Sequence, residues 1–148
     1  MLQGETELSE LNQSGGAMPR ILLVEDNRTN QELVEDYLEG KPWQLEIVYD
    51  GHAAVECFSR ARFAAVLMDC HMPVMDGFQA TRVIRSLEAQ YGWRRTPIIA
   101  VTAHALEHDR GQCLSAGMDD YLSKPFSRAQ LLEKLDLWVK PGETRVQT

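Results

Sequence analysis

Long apolar runs are missing from this 148-residue sequence, and none approaches the roughly 20 residues that a bilayer-spanning helix needs. The N-terminus lacks a basic segment followed by an apolar core, so no secretory signal is expected. Basic stripes, a helix-turn-helix pattern and aromatic-rich basic segments are absent too, and the formal net charge is -7. That balance argues against nucleic acid as a partner and against direct contact with an acidic membrane. Cysteine is scarce. Cys57, Cys70 and Cys113 are odd in number and fall within periodic segments, which suits reduced, partly buried thiols in a cytosolic protein. Cys70-His71 is a lone adjacent pair without zinc-site spacing. No internal repeat is visible.

The 44% hydrophobic content fits one domain with an ordinary core. Residues 1–18 are mostly polar, include Ser14-Gly15-Gly16, and read as a flexible linker. Pro141 and Gly142 close the last helical pattern, so the domain is expected over 19–140 with a short polar tail over 141–148. Inside it, short apolar runs alternate with amphipathic stretches. Strand patterns occupy Ile21 to Val24, Leu45 to Tyr49, Phe63 to Met68, Ile98 to Val101, and Tyr121 with Leu122. Helical patterns follow Asn27, a candidate N-cap, and cover His52 to Arg60, Gly77 to Glu88, Leu106 to Ala116 and Ser127 to Val139. Five strands alternating with five helices predict an α/β domain, a single doubly wound (βα)5 unit whose parallel sheet is covered on both faces.

Ligands of such sheets bind beyond the carboxyl ends of the strands. Four segments send polar groups to that rim: Glu25-Asp26 after strand one, Asp69 after strand three, Thr102 after strand four, and Lys124-Pro125 after strand five. The run FAAVLMD, fit for the middle of a sheet, stops at the carboxylate of Asp69. Three carboxylates can crowd together only if their repulsion is cancelled. A hard divalent cation does so, and Mg²⁺ suits carboxylate, carbonyl and water ligands. Lys124 can pair with Asp69 or with a phosphoryl oxygen, and Thr102 offers a hydroxyl to another. A nucleophilic carboxylate, a metal, a lysine and a hydroxyl together suit phosphoryl transfer.

The motifs ILLVEDN, VLMDCHMPVMDGF, PIIAVTAHA and AGMDDYLSKPF follow one another here in the order and spacing of a known family. Over about residues 19 to 139 the chain resembles the receiver domains of two-component response regulators. The wording is most similar to receivers of hybrid sensor histidine kinases. The resemblance implies a flavodoxin-like fold with strand order 2-1-3-4-5. It also implies that Asp69 accepts phosphate from a phosphohistidine and that Glu25 and Asp26 organise Mg²⁺ together with Asp69. The backbone carbonyl of His71 would be a further ligand. Thr102 and Lys124 would bind the phosphoryl group, Lys124-Pro125 would be a cis peptide, and Tyr121 would be the switch aromatic that moves with Thr102. His71 and His104, with the small Ala103 between Thr102 and His104, would set how long the phosphate survives. Self-phosphorylation and autodephosphorylation, dependent on Mg²⁺, are implied as activities. Implied partners are a sensor histidine kinase or a histidine-phosphotransfer domain, and a homodimer through helix four, strand five and helix five. The implied location is cytoplasmic, compatible with a membrane-anchored parent protein.

Other readings compete at single positions. Glu25-Asp26 alone suits a solvated strand end, Thr102 a helix cap, and Tyr121 a packed edge aromatic. Asp76-Gly77 reads as a helix start, and Asp119-Asp120 as a solvated turn before strand five. The last helix carries the stripe Leu131, Leu132, Leu135 and Trp138, mostly for the core. A phosphatase of the haloacid dehalogenase type would place its nucleophile after strand one with a second acid two residues on. Here Asn27 and His71 stand two residues after Glu25 and Asp69, which counts against it. A pseudo-receiver acting only as a scaffold would not need the full set of acids, hydroxyl and lysine.

Overall fold

Strand β1 (Arg20–Val24) and the strands β3 (Ala65–Asp69) and β4 (Ile98–Thr102) are buried almost throughout. These near-continuous apolar runs can exist only in a sheet covered on both sides. The structure, a computed structural model, describes residues 18–103 and 107–139. Strands β2 (Gln44–Val48) and β5 (Asp120–Ser123) complete a five-stranded parallel sheet of order β2-β1-β3-β4-β5.

Period-two alternation splits the strands between two cores. Leu22, Val24, Val66, Met68, Ile98 and Ala100 face one side. There they meet helices α2 (Gly51–Arg60), α3 (Gly77–Tyr91) and α4 (Glu107–Ala116). Ile21, Leu23, Ala65, Leu67, Ile99 and Val101 face the other, against α1 (Arg28–Leu38) and α5 (Arg128–Trp138). Each side is thus a helical layer, as expected for a doubly wound α/β domain.

The helices begin where side chains can satisfy their free N–H groups. Asn27 accepts from Asn30 N and Asp50 from Ala53 N. Asp76 with Gln79, and Ser127 with Gln130, form reciprocal capping boxes. Helix α3 runs past Glu88 to Tyr91 and stops at Gly92, whose φ of 68° few other residues adopt cheaply. Strand edges differ from expectation by a residue or two. Asp69 and Thr102 are the last residues of their strands, not the first beyond them. All three cysteines are buried and none forms a disulfide. Among the described residues, no helix is long and apolar enough to cross a membrane. Of the expected linker only Met18 lies within the described residues, and the expected tail, Leu106 and His104 lie outside them.

Asp119-Asp120 corrects the expectation of a solvated turn. Asp120 lies in β5, where it accepts from Lys134 Nζ and Trp138 Nε1 at 2.9 Å each. These hydrogen bonds outweigh its burial and hold its carboxyl below the usual carboxylate range. Asp119 accepts from Arg85 at 2.8 Å, from Arg95 at 2.9 Å and from the backbone N–H of Ile98 at 2.9 Å. Arg85, only 14% exposed, also donates to Glu88 and to the carbonyls of Thr96 and Gly117. This network ties α3 to the entries of β4 and β5, at the end of the sheet opposite the acidic rim.

Removing Asp119 leaves the Arg85 guanidinium, only 14% exposed, short of a charged partner, which is the costly way to break an ion pair. Asp119→Ala is therefore expected to cost about 3 kcal/mol, read as a lower urea midpoint with an unchanged slope. A parent-like midpoint would contradict a supporting role for the network.

Candidate functional site

Parallel register carries the rim residues to adjacent strand ends. Val24 lies opposite Met68, Asp69 opposite Val101, and Thr102 opposite Ser123. Glu25, Asp69, Thr102 and Lys124 therefore follow one another across β1, β3, β4 and β5. Close approach at the centre needs a glycine. A Cβ on Gly77 would stand 2.3 Å from the carbonyl oxygen of Asp69, so only glycine lets α3 begin against the end of β3.

Glu25 is buried, and every one of its polar atoms is engaged. Its Oε2 accepts from Asn27 N at 3.1 Å and from Asn30 Nδ2 at 3.3 Å. Oε1 pairs with Lys124 Nζ at 3.3 Å. Its carbonyl accepts from Gln31 Nε2 at 2.7 Å, and its N–H donates to Val48. Asn30 and Gln31 are functional neighbours that sequence reasoning missed. Their only signal was a polar first helical turn directly after the acid pair.

Asp69 is 4% exposed. Its Oδ1 accepts from the backbone N–H of His71 at 3.1 Å, and its Oδ2 lies 3.6 Å from Lys124 Nζ. Burial, first, and the neighbouring Glu25 carboxylate, second, raise its carboxyl from 3.8 to about 6, against the opposing pull of the His71 N–H and Lys124. Asp26 is exposed, and its carboxylate reaches the others: donor oxygens of Glu25, Asp26 and Asp69 lie within 4.8 Å of one another. An octahedral Mg²⁺, with ligands at about 2.1 Å, spans about 4 Å across and keeps several waters. Three hard oxygen donors at this spacing, with a buried carboxylate whose charge is unfavourable, fit such an ion.

The remaining expected residues are placed as follows. The side chain of Thr102 is buried, and its carbonyl accepts from Lys124 N at 2.8 Å. Lys124-Pro125 is cis. His71 is exposed, with its ring edge-on to Phe78 at 6.1 Å. Ala103 is exposed at the mouth of the β4 end. Tyr121 is half-buried in β5 beneath the Arg110 guanidinium, 4.5 Å from the ring centre, with Lys134 at 5.5 Å. Asp76 caps α3, as a helix start should.

Comparison with known proteins follows the same line. The sequence model of the family described as the response regulator receiver domain matches residues 21–136. The sensor protein GacS of Pseudomonas syringae pv. syringae is 44% identical over 120 residues, 81% of this chain and 13% of GacS. The chain thus spans about an eighth of that relative. Among solved structures, the receiver domain of sensor histidine kinase PA1611 from Pseudomonas aeruginosa PAO1 is similar with a TM-score of 0.74 and 50% identity. That match covers 83% of this chain and 98% of the other, which holds a magnesium ion coordinated in its active site cleft. A second likeness is to a Saccharomyces cerevisiae co-crystal of the histidine phosphotransfer protein Ypd1 with the receiver domain of its response regulator Ssk1. It has a TM-score of 0.78 at 29% identity, over 82% of this chain and 88% of that one.

The raised Asp69 carboxyl has a consequence for stability. The folded chain holds this proton more tightly than the unfolded chain, so ionisation disfavours folding. Without metal, stability from this group falls as pH rises from about 4 to about 6, by on the order of 2–3 kcal/mol. Asp69→Asn is expected to remove that fall and raise the urea midpoint at pH 7.5 but not at pH 4. Parallel pH–stability curves for parent and variant would contradict the assignment.

Proposed function

Because this chain belongs to the response regulator receiver domain family, we propose that it takes a phosphoryl group from a phosphohistidine onto Asp69 in a Mg²⁺-dependent reaction. The observation that carries the reading is one buried carboxylate at the end of β3, flanked by Glu25 and Asp26 and faced by Lys124. An Asp69 oxygen attacks phosphorus, an O–P bond forms and the P–N bond breaks, with its electron pair returning to the donor imidazole. The His71 N–H holds Oδ1 of Asp69, which leaves Oδ2, on the Lys124 side, as the attacking atom. Lys124 then pairs with a phosphoryl oxygen, and the Thr102 hydroxyl with another. Mg²⁺, when bound, supplies positive charge to the phosphoryl oxygens; Asp26, Asp69 and the His71 carbonyl would hold it, and Glu25 would do so through water.

Phosphorylation draws Thr102 inward and shifts Tyr121 with it, biasing the face of α4, β5 and α5. The receiver unit spans 19–140, with 1–18 and 141–148 as linker and tail. A sensor histidine kinase or a histidine-phosphotransfer domain is the donor, most simply within a hybrid-kinase phosphorelay in the cytoplasm. Homodimerisation uses the same α4-β5-α5 face. His71, Ala103 and His104 set the lifetime of the phosphoryl group.

Acetyl phosphate with Mg²⁺ is expected to give a base-labile adduct on Asp69, located by borohydride trapping and mass spectrometry. Asp69→Asn is expected to abolish it, and Asp26→Asn to slow it at least about tenfold at limiting Mg²⁺. Full labelling of Asp69→Asn would overturn Asp69 as the acceptor, and no labelling of the parent would leave a scaffold in its place.

A further inference from the structure

Helix α1 buries a stripe of Gln31, Val34 and Leu38. Such a stripe is ordinarily apolar, yet its first member is a glutamine that is only 8% exposed. Burying an amide costs free energy unless its polar atoms find partners. Gln31 finds one at the acidic rim, where its Nε2 donates to the backbone carbonyl of Glu25 at 2.7 Å. A carbonyl can only accept, so the amide presents its NH₂ group here.

The bond falls where β1 has ended. Val24 is the last residue of the strand, and the Glu25 N–H still donates to the Val48 carbonyl of β2. The next peptide unit joins Glu25 to Asp26, and its carbonyl is the one that Gln31 holds. That unit is planar, so fixing its carbonyl fixes the direction in which the chain leaves toward Asp26. Other groups hold the Glu25 side chain, since Asn27 N and Asn30 Nδ2 both reach its Oε2. Gln31 thus acts on the backbone between the two acids, and it contributes none of the oxygens that gather within 4.8 Å.

We propose that Gln31 is a positioning residue that favours Mg²⁺ over Ca²⁺, by fixing the peptide between Glu25 and Asp26 and so the placement of their carboxylates relative to Asp69. This role rests on the reading that these three acids form the metal site. Mg²⁺ demands near-ideal octahedral geometry at about 2.1 Å, whereas Ca²⁺ accepts irregular ligand sets at about 2.3–2.6 Å. A backbone held in one orientation suits the smaller, stricter ion. Freed to shift, it penalises Mg²⁺ while Ca²⁺ adapts. Groups that orient metal ligands without touching the metal commonly matter this much to affinity.

The test uses the full chain with Gln31→Met and Gln31→Leu, which suit an apolar stripe and lack the donor. Titrations with MgCl₂ and with CaCl₂ are followed by the amide ¹H–¹⁵N shifts of Asp26, Asp69 and His71, with no phosphoryl donor present. Urea transitions in EDTA check that each variant folds. Both variants are expected to unfold cooperatively and to bind Mg²⁺ about tenfold more weakly than the parent. Their Ca²⁺ affinity is expected to stay within about twofold of the parent value. Parent-like Mg²⁺ affinity in the folded variants would overturn the positioning role. An equal loss for both ions would overturn the geometric basis of the preference. Loss of cooperative unfolding in both variants would make the amide a requirement of the fold and overturn a role specific to the metal. Absence of Mg²⁺-dependent shifts at Asp26 and Asp69 in the parent would instead overturn the metal-site reading itself.

Discussion

Electrostatic repulsion at the carboxyl end of β3 is the constraint around which this molecule is arranged. Two unit charges about 4 Å apart repel by about 4 kcal/mol where the effective dielectric is near 20. The carboxylates of Glu25, Asp26 and Asp69 gather at that spacing with Asp69 almost fully buried. Lys124 offsets part of the cost by lying between Glu25 and Asp69, closer to Glu25 at 3.3 Å than to Asp69 at 3.6 Å. What remains is a site whose charge is unfavourable and which a divalent cation would relieve.

The scaffold keeps the groups from escaping this repulsion. Glu25 is gripped by Asn27, Asn30 and Gln31 from the first turn of α1. Asp69 is held by the His71 N–H, and α3 begins directly against its carbonyl because residue 77 is glycine. At the far end of the sheet, Arg85 and Arg95 clamp Asp119 where β4 and β5 enter. The two ends use charge in opposite ways. One pairs arginines with acids and is spent on rigidity, whereas the other leaves acids in excess and is available for chemistry.

Much of this was legible in the sequence. Apolar runs ending at Glu25, Asp69 and Thr102 announced buried parallel strands with polar groups at one rim, and the structure brings those strand ends together. The strand order itself came from family resemblance, since periodicity does not order strands. Asp119 was misread because its partners Arg85 and Arg95 lie 34 and 24 residues away, and local pattern shows only acids near a turn. Asn30 and Gln31 were missed, because nothing in a single chain tells a polar residue that grips a neighbour from one that faces water. The positive φ of Val74 has no signal in the sequence, since valine is among the residues least suited to it.

The central claim is that crowding and burial make the Asp69 charge unfavourable and that a divalent cation relieves it. Carboxyl ¹³C NMR titration of Asp69, with and without Mg²⁺, reads this directly. The account predicts a midpoint near 6 in the metal-free chain and a midpoint well below that with Mg²⁺. An ordinary carboxylate midpoint without metal, unmoved when Mg²⁺ is added, would contradict it.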